Sequence, residues 1–302
     1  MDRILLFFLL PFFYALQTTY LSFASRMRII PRHQNQSKRN RIVTGAGIIF
    51  PFAWLLFFLL NDFVFPIYTI AIVSISLVCF LADIVELDYK IQLVLHLLAL
   101  TGIFAQFHYF TTLSLPLIVL AYLLSMLLIV GFELMDGING MLGLVAYVFF
   151  ICIAFTDNVF LSLEYSNPLI FIFSSIFVFG FVNFRKKAIA FAGTVGSASM
   201  AYLALFFLLQ LIFGGKIMLK EIPLSDTSLM TFQPQYLLVF TILAAELMYV
   251  VFKRISKGEN PLIPQKDHVY HLLTIDKQLP HVLVASFYAV AHLAIGMVLL
   301  LM

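Results

Sequence analysis

Two carboxylates stand three residues apart where a long apolar run ends. Glu133 and Asp136 lie in GFELMDGINGML, residues 131–142, directly after residues 113–130, which carry no charge. In a helix this spacing places both side chains on one face, where two carboxylates repel each other unless a proton or a cation lies between them. A divalent cation such as Mg²⁺, bound to a phosphate, would relieve that repulsion. The stretch therefore predicts chemistry on phosphate groups at a helix end.

Any one of these acids, taken alone, indicates no more than a solvated helix end, because charges are ordinary at membrane boundaries. The pair is harder to explain in this way, since Gly131, Gly137 and Gly140 surround it. Glycine permits tight turns and a close approach of the backbone to a ligand. The combination favours a binding site over simple solvation.

Composition indicates an integral membrane protein. Of the 302 residues, 63% are hydrophobic and 11% are charged, and the mean hydropathy is +1.04, whereas soluble domains are roughly half apolar and about a quarter charged. No long polar stretch interrupts the apolar runs, so we expect a single transmembrane domain over residues 1–302. Cys79 and Cys152 each lie inside an apolar run, which indicates neither a disulfide scaffold nor a thiolate metal site.

The apolar runs predict an all-α, polytopic protein with about ten transmembrane helices, because roughly 20 apolar residues cross a bilayer. The predicted spans are residues 4–24, 44–61, 66–82, 91–105, 113–130, 139–156, 167–182, 196–213, 236–253 and 281–302. The first run lacks a small-residue cleavage site before the basic segment, which favours a retained helix over a signal peptide. The fourth run is short, and a tilted or re-entrant course would change the count by one.

Lysine and arginine are divided unevenly between the two ends of these spans. With the amino terminus outside the cell, the cytoplasmic ends carry Arg26, Arg28, Arg32, Lys38, Arg39, Arg41, Lys90, Arg185, Lys186, Lys187, Lys253, Arg254, Lys257, Lys266 and Lys277. The opposite ends carry Arg3, Lys216 and Lys220. Cytoplasmic loops are rich in Lys and Arg, so this asymmetry predicts that both termini are extracytoplasmic.

The net charge of +3 is thus a topology signal that also suits anionic headgroups or substrates, and no nucleic-acid module is implied.

Two further polar segments fall on the same basic side. GTVGS, residues 193–197, follows the basic NFRKK, residues 183–187, and such a glycine-bracketed turn with small hydroxyls can cradle phosphate. Taken alone it is a weak indication, because Gly and Ser are also common on the packing faces of transmembrane helices.

The loop KGENPLIPQKDHVYHLL, residues 257–273, carries His268 and His271. In a helix, their spacing of three places the two rings on one face. A histidine pair of this kind is more often a satisfied interfacial pair than a ligand set, and no cysteine or third histidine stands nearby to make a zinc site. Phosphate contact or proton transfer is the sharper alternative.

Four segments occur in one order along the chain and resemble the motifs of a known family. LADIVELDYKIQLVLHLLA resembles a paired-aspartate loop followed by lysine, and ELMDGINGMLG resembles an Asn-x-x-Asp-Gly-x-Asn/Asp-Gly segment. NFRKKAIAFAGTVGSASMAY is similar to a segment built around Gly-Asp-x-Gly-Ser, and the loop at 257–273 is similar to one with His-x-His-His. Together they resemble the polyprenyl-phosphate N-acetylhexosamine-1-phosphate transferases, over nearly the whole chain. The short His motif favours the branch that uses UDP-N-acetylglucosamine over the muramyl-pentapeptide branch.

The resemblance implies a reaction that begins cell-envelope glycan synthesis at the cytoplasmic face of the bacterial inner membrane. Polyprenyl phosphate, as undecaprenyl phosphate, would attack the sugar-linked phosphorus of a UDP-sugar and release UMP, with Mg²⁺ as cofactor. The chemistry requires the four segments to converge on one cytoplasmic cleft, with an apolar groove for the lipid beside it. A homodimer is one assembly that the sequence leaves open.

The resemblance also implies roles for individual residues. Asp83, Asp136 and His268 are the expected catalytic residues. The expected substrate-binding residues are Lys90, Asn183, Lys187, Gly193, Gly196, Ser197 and His271. The expected metal-binding positions are Glu133, Asp136 and Thr194.

Several positions depart from the family pattern. Ala82 stands at the first aspartate of the pair, Glu133 replaces an asparagine, Thr194 replaces a metal-binding aspartate, and Tyr270 takes the middle histidine position. Three interpretations follow: an active transferase in which Glu133 and Asp136 bind the metal, a divergent member that binds substrate without turnover, and an unrelated carrier. The carrier is the weakest interpretation, because carriers keep functional charges near the bilayer midplane and only Glu246 lies well inside a predicted helix.

Overall fold

The structure is a computed structural model that describes residues 2–30, 42–85, 87–156, 167–214, 232–258 and 268–301. The basic loop at 31–41 and the first part of the histidine loop, residues 259–267, lie outside the described residues. Helices dominate the described ranges, where the one β pairing is a bridge between Val43 and Ala190.

Twelve helices in the described ranges follow one another along the chain. They are α1 (Asp2–Met27), α2 (Ile49–Leu60), α3 (Pro66–Ile84), α4 (Tyr89–Gln106), α5 (Tyr109–Thr112), α6 (Leu115–Met135), α7 (Met141–Thr156), α8 (Pro168–Asn183), α9 (Gly193–Gly214), α10 (Thr241–Ser256), α11 (Val269–His271) and α12 (His281–Leu301). Short 3₁₀ segments, Ala46–Ile48 and Pro234–Phe240, precede α2 and α10, and a π-helical turn, Leu272–Asp276, follows α11.

The predicted all-α, polytopic fold is confirmed. In the described residues, six helices are long and apolar enough to cross a membrane, and they lie at Phe7–Met27, Pro66–Ile84, Leu115–Met135, Gly193–Gly214, Pro234–Ser256 and His281–Leu299. Four shorter apolar helices lie at the remaining predicted spans, at Ala46–Leu60, Lys90–Gln106, Met141–Phe155 and Pro168–Asn183. The number of helices that cross the membrane and the side of the amino terminus stay predictions.

Local sequence explains where several of these helices begin. Pro66 and Pro168 stand at the starts of α3 and α8, where proline is tolerated because the first helical amide has no partner within the helix. The Asp88 side chain accepts a hydrogen bond from Lys90 N at 2.9 Å and caps α4. Proline thus defines the starts of α3 and α8, and an acidic cap defines the start of α4.

α9 lies at the centre of the bundle and is buried along its whole apolar stretch. Aromatic side chains of α2 and α3 pack against it, with the Trp54 and Phe206 ring centroids 4.7 Å apart. Tyr68 Oη donates to the carbonyl of Tyr202 at 2.6 Å, and Trp54 Nε1 donates to Thr69 Oγ1 at 2.9 Å. A helix enclosed in this way has a fixed amino-terminal end, which is where the GTVGS segment begins.

The segment before α2 crosses the start of α9 at very short range. Gly47 N donates to the carbonyl of Ala192 at 3.0 Å. A Cβ atom built on Gly47 would lie 2.3 Å from the Cα of Gly196, and one built on Gly196 would lie 2.8 Å from the Cα of Gly47. Only glycine allows the two backbones to approach so closely.

We expect Gly47→Ala to lower the thermal unfolding midpoint of the purified protein in detergent. The added methyl group meets backbone rather than a flexible side chain, and overpacking of this kind costs about 1–3 kcal/mol. Gly180→Ala in α8 is the matched control, because a Cβ at Gly180 meets nothing within 4 Å. An equal loss of stability in both variants would contradict the close crossing.

Candidate active site

The carboxylates of Asp83 and Asp136 meet at the amino terminus of α9. Asp136, which follows α6, accepts a hydrogen bond through Oδ2 from Gly193 N at 2.8 Å. Asp83, near the end of α3, accepts through Oδ1 from Thr194 N at 2.9 Å and through Oδ2 from Val195 N at 3.2 Å. The first amides of a helix lack partners within the helix and carry partial positive charge. Three helices therefore place two acids at one point.

Gly193 is required at this point for two reasons. Its φ angle is +73°, and a Cβ built there would lie 2.6 Å from Asp83 Oδ2 and 2.6 Å from Gly45 N. A side chain would be strained by the backbone conformation and would also displace the carboxylate. The glycine that the sequence pattern singles out thus makes room for Asp83.

Electrostatics makes this pair of acids receptive to a cation. Burial raises the pKa of Asp136 to about 8; hydrogen bonds from the amides of Gly193 and Ala192 oppose the rise, and the Asp83 charge adds to it. A nearby positive charge would favour the ionised form of both groups.

The donor set fits a magnesium ion that shares its ligands with a substrate. Mg²⁺ usually keeps several waters and takes one or two protein carboxylates together with substrate phosphates. Asp83 and Asp136 supply two such carboxylates. In the part of the chain that the structure describes, no group of three His, Cys, Asp or Glu side chains gathers to hold a metal, so a metal at this position would depend on oxygens from substrate and water.

Glu133 lies one turn before Asp136 on α6 and faces a histidine of α4. Its Oε1 is 3.9 Å from Nε2 of His96, and Nδ1 of His96 is 3.2 Å from Oη of Tyr202. The role of Glu133 as a metal ligand stays a prediction, as does that of Thr194, whose amide binds Asp83.

The described end of the histidine loop, residues 268–273, covers the segment that contains Asp136. Tyr270 Oη donates to the carbonyl of Leu134 at 2.6 Å, and its ring rests on Gly137, where a Cβ would lie 2.4 Å from that hydroxyl oxygen. The His268 ring stacks on the Tyr270 ring, with centroids 5.2 Å apart and planes 3° from parallel. Tyr270 therefore joins the described end of this loop to the segment that contains Asp136.

The basic turn after α8 is tied to the same region by two asparagines. Asn183 Oδ1 accepts from Gly140 N at 2.8 Å, and its Nδ2 donates to the carbonyl of Ala190 at 2.9 Å. Asn139 Nδ2 donates to the carbonyls of Arg185 and Lys186 at 3.1 and 3.2 Å. These bonds link residues 183–190 to the segment that contains Asp136.

Comparison with known proteins identifies the family. Residues 65–212 match the family described as glycosyl transferase family 4. This matched segment belongs to the family. Its members are the polyprenyl-phosphate hexosamine-1-phosphate transferases, so the chain is a membrane glycosyl phosphotransferase by family. No curated protein matches it.

The family 4 match contains both aspartates and the start of α9, whereas His268 lies beyond it. Hydrogen bonds join the segments around Asp83, Asp136, Gly193 and Tyr270 in the described residues. That these segments form one cytoplasmic catalytic cleft stays a prediction. The catalytic roles of Asp83, Asp136 and His268 stay predictions.

The predicted substrate-binding residues of this transferase occupy different surroundings. Lys90 and Lys187 are exposed, whereas Asn183, Gly193, Gly196, Ser197 and His271 are buried. The Ser197 hydroxyl donates to the carbonyl of Gly193 at 3.3 Å, and the His271 ring lies 4.4 Å from that of Tyr270. Their substrate roles stay predictions.

An apolar groove of about 520 Å³ lies between α7 and α8 of the transferase. Phe177 and Phe181 form part of its wall, and Gly140, Asn183 and Arg185 line its polar end. The groove thus runs from an apolar surface to the basic turn beside the aspartates.

The sequence patterns do not single out three residues that lie near the aspartates in the structure. Tyr270 stands out only as a substitution, and His96 lies unmarked within an apolar run. Glu246 gave the clearest signal, because an ionisable residue well inside an apolar helix is costly and usually functional.

We expect Asn183→Ala to destabilise the transferase, because Gly140 N and the Ala190 carbonyl would both lose a buried partner. An unsatisfied buried group costs about 1–3 kcal/mol, so the thermal midpoint in detergent should fall clearly. Lys187→Ala, at an exposed position of the same turn, is the control and should leave the midpoint unchanged. Weaker UDP-sugar binding by Asn183→Ala at an unchanged midpoint would instead show a direct substrate contact.

Proposed function

We propose that this family 4 transferase moves N-acetylglucosamine-1-phosphate from its UDP derivative to undecaprenyl phosphate and releases UMP. This would be the first step of a cell-envelope glycan, at the cytoplasmic face of the bacterial inner membrane. The observation that carries the proposal is the meeting of Asp83 and Asp136 at the amino terminus of α9, inside the region that matches the family.

The reaction joins two anionic groups. An oxygen of the lipid phosphate attacks the sugar-linked phosphorus, the bond from that phosphorus to the bridging oxygen breaks, and UMP leaves with the electron pair. Charge builds up on the phosphoryl oxygens, so positioned positive charge lowers the barrier more than any proton transfer does. Asp83 and Asp136 would hold Mg²⁺. When bound, this ion would neutralise negative charge on the phosphates and orient the diphosphate.

The exposed cations near the site support the same assignment. Arg185, Lys186 and Lys187 are exposed and follow directly after Asn183, which is bonded to the segment that contains Asp136. A cluster of cations at the edge of a site raises the local concentration of anionic substrates. His268, above the Asp136 segment, would contact a phosphate oxygen or accept a proton there.

The distribution of charge along the bundle supports a cytoplasmic site. Lys90 and the basic turn at 185–187 lie at the end that holds the aspartates, whereas the described loops at the opposite end, residues 61–65 and 107–114, contain no Lys or Arg. Cytoplasmic ends of membrane helices carry the excess of Lys and Arg.

The groove between α7 and α8 suits the lipid substrate. Its phenylalanine wall would bury part of a polyprenyl chain, and Arg185 at its polar end would face the phosphate of that lipid. A lipid held in this way approaches from the bilayer, while the nucleotide sugar approaches from water.

One observation favours an alternative function, in which the protein binds nucleotide sugar without turnover. Thr194, at the position of the family's metal-binding aspartate, contributes its amide to Asp83, and a neutral hydroxyl lacks the charge that a carboxylate gives Mg²⁺. Binding of UDP-N-acetylglucosamine without UMP release, in the presence of undecaprenyl phosphate and Mg²⁺, would support this alternative.

We expect Asp136→Asn to reduce UMP release from UDP-N-acetylglucosamine on the order of 10²-fold or more, because the change removes charge and keeps shape. The assay uses the purified full chain with undecaprenyl phosphate and Mg²⁺. Asp88→Asn is the matched control, since Asp88 caps α4 and asparagine caps a helix about as well. Equal activity of the two variants would show that Asp136 is only a helix-end residue.

We expect Thr194→Asp to raise Mg²⁺-dependent turnover if this turn is a metal site that lacks one ligand. Asp is close to Thr in size, and an acid in the first turn of α9 is favoured by the helix dipole. Thr194→Asn, which has the same shape without the charge, is the control. Unchanged metal affinity and unchanged UMP release over a full Mg²⁺ titration would show that the turn is not a disabled metal site.

A further inference from the structure

Glu246 is a buried acid on α10 that contacts the histidine loop. The residue is 5% exposed, and its Oε2 accepts a hydrogen bond from Val269 N at 3.2 Å. The same oxygen lies 3.7 Å from Nδ1 of His268, whose side chain is also buried. One carboxylate therefore holds both the backbone and the ring at the start of α11.

We propose that Glu246 is a positioning residue that orients His268 over the aspartate site. The inference rests on the proposed function, in which His268 contacts the reacting phosphates. Glu246 itself would touch no substrate and would act only through the histidine.

The energetic cost of burying this acid indicates that its charge has a use. Transfer of an ionised carboxylate out of water costs several kcal/mol unless it is paired. Leu243 and Val250 are buried beside Glu246 on this side of α10, and Arg254 is buried about two turns further along the helix. A neutral glutamine could accept the hydrogen bond from Val269 N, so the backbone contact alone does not explain a charged group.

The contact with Nδ1 explains why a charge is useful. A carboxylate beside one ring nitrogen favours the tautomer with the proton on that nitrogen and fixes the orientation of the ring. With Nδ1 facing Glu246, Nε2 is the nitrogen that remains for a phosphate oxygen. The distance of 3.7 Å exceeds that of a hydrogen bond, and such contacts shorten in many enzymes when substrate binds.

Two further contacts limit the motion of the same ring. The His268 ring stacks on Tyr270, with centroids 5.2 Å apart, and Tyr270 is bonded to the carbonyl of Leu134, two residues before Asp136. Stacking restrains the tilt of the ring but does not distinguish the ring from its 180° flip about the Cβ–Cγ bond, which moves Nδ1 to the opposite side. The carboxylate of Glu246 supplies that missing restraint.

A double-mutant cycle tests the inference. We expect Glu246→Gln to lower kcat for UMP release roughly 10-fold or more, as loss of an orienting carboxylate does elsewhere, while KM for the UDP-sugar changes by less than about 2-fold. In a His268→Gln background the same substitution should have almost no further effect. Asp276→Asn, at an exposed acid of the neighbouring π-helical turn, is the control. Losses that multiply in the double variant would overturn the inference.

A measurement that needs no turnover separates this inference from the proposed function. In protein with ¹⁵N-labelled histidine, the His268 ring signals, assigned by their loss in His268→Gln, should show a proton on Nδ1 that shifts or is lost in Glu246→Gln. Identical ring signals in wild type and Glu246→Gln would overturn the positioning role. Absence of UMP release from the wild type would reject the proposed function, and the ring signals would still decide the role of Glu246.

Discussion

The rest of the site depends on the hydrogen bonds that two aspartates accept from the first amides of α9. α9 is buried along its apolar stretch, so its amino-terminal amides need partners from the protein. Asp83 from α3 and Asp136 from the end of α6 supply them. The two acids best suited to hold a cation are thus also the acids that fix three helices together. A substitution that removes either carboxylate therefore affects packing as well as chemistry.

The same arrangement explains how two carboxylates can lie so close together. The amides at the start of α9 oppose the rise in pKa that burial causes at Asp136, and so favour its ionised form even without a metal. These amides also weaken the attraction of each carboxylate for a metal ion, because they already compensate part of the carboxylate's charge. With Thr194 in place of a third acid, the site relies more heavily on the phosphate oxygens of its substrates, which favours metal binding together with substrate over metal binding alone.

The helices, and the fact that the polar segments lie together, could be predicted from the sequence. A chain in lipid must satisfy its backbone internally, so long apolar runs become helices, and the short run at 91–105 is one continuous helix, Tyr89–Gln106. The uneven distribution of Lys and Arg between the two ends of the predicted helices then predicts that Asp83 and Asp136 lie at the same end of the bundle. What the sequence could not supply were contacts that depend on the path of a turn. The two hydrogen bonds of Asn183 and the packing of the Tyr270 ring on Gly137 are such contacts. They become visible only in the three-dimensional structure, because no spacing rule links residues so far apart in sequence.

Two further polar contacts lie within the helices that carry the site. Glu133 on α6 faces His96 on α4, and Glu246 on α10 faces His268. Both histidines are buried, and both contacts pair a carboxylate with an imidazole. Charges act more strongly on one another where packed side chains exclude water. A phosphate held beside the aspartates by a bound cation and by donor groups would exchange much of its hydration for fixed partners, which is the condition under which two phosphates that repel each other in water can be brought into contact. The apolar bundle is therefore part of the chemistry of the site as well as its anchor in the membrane.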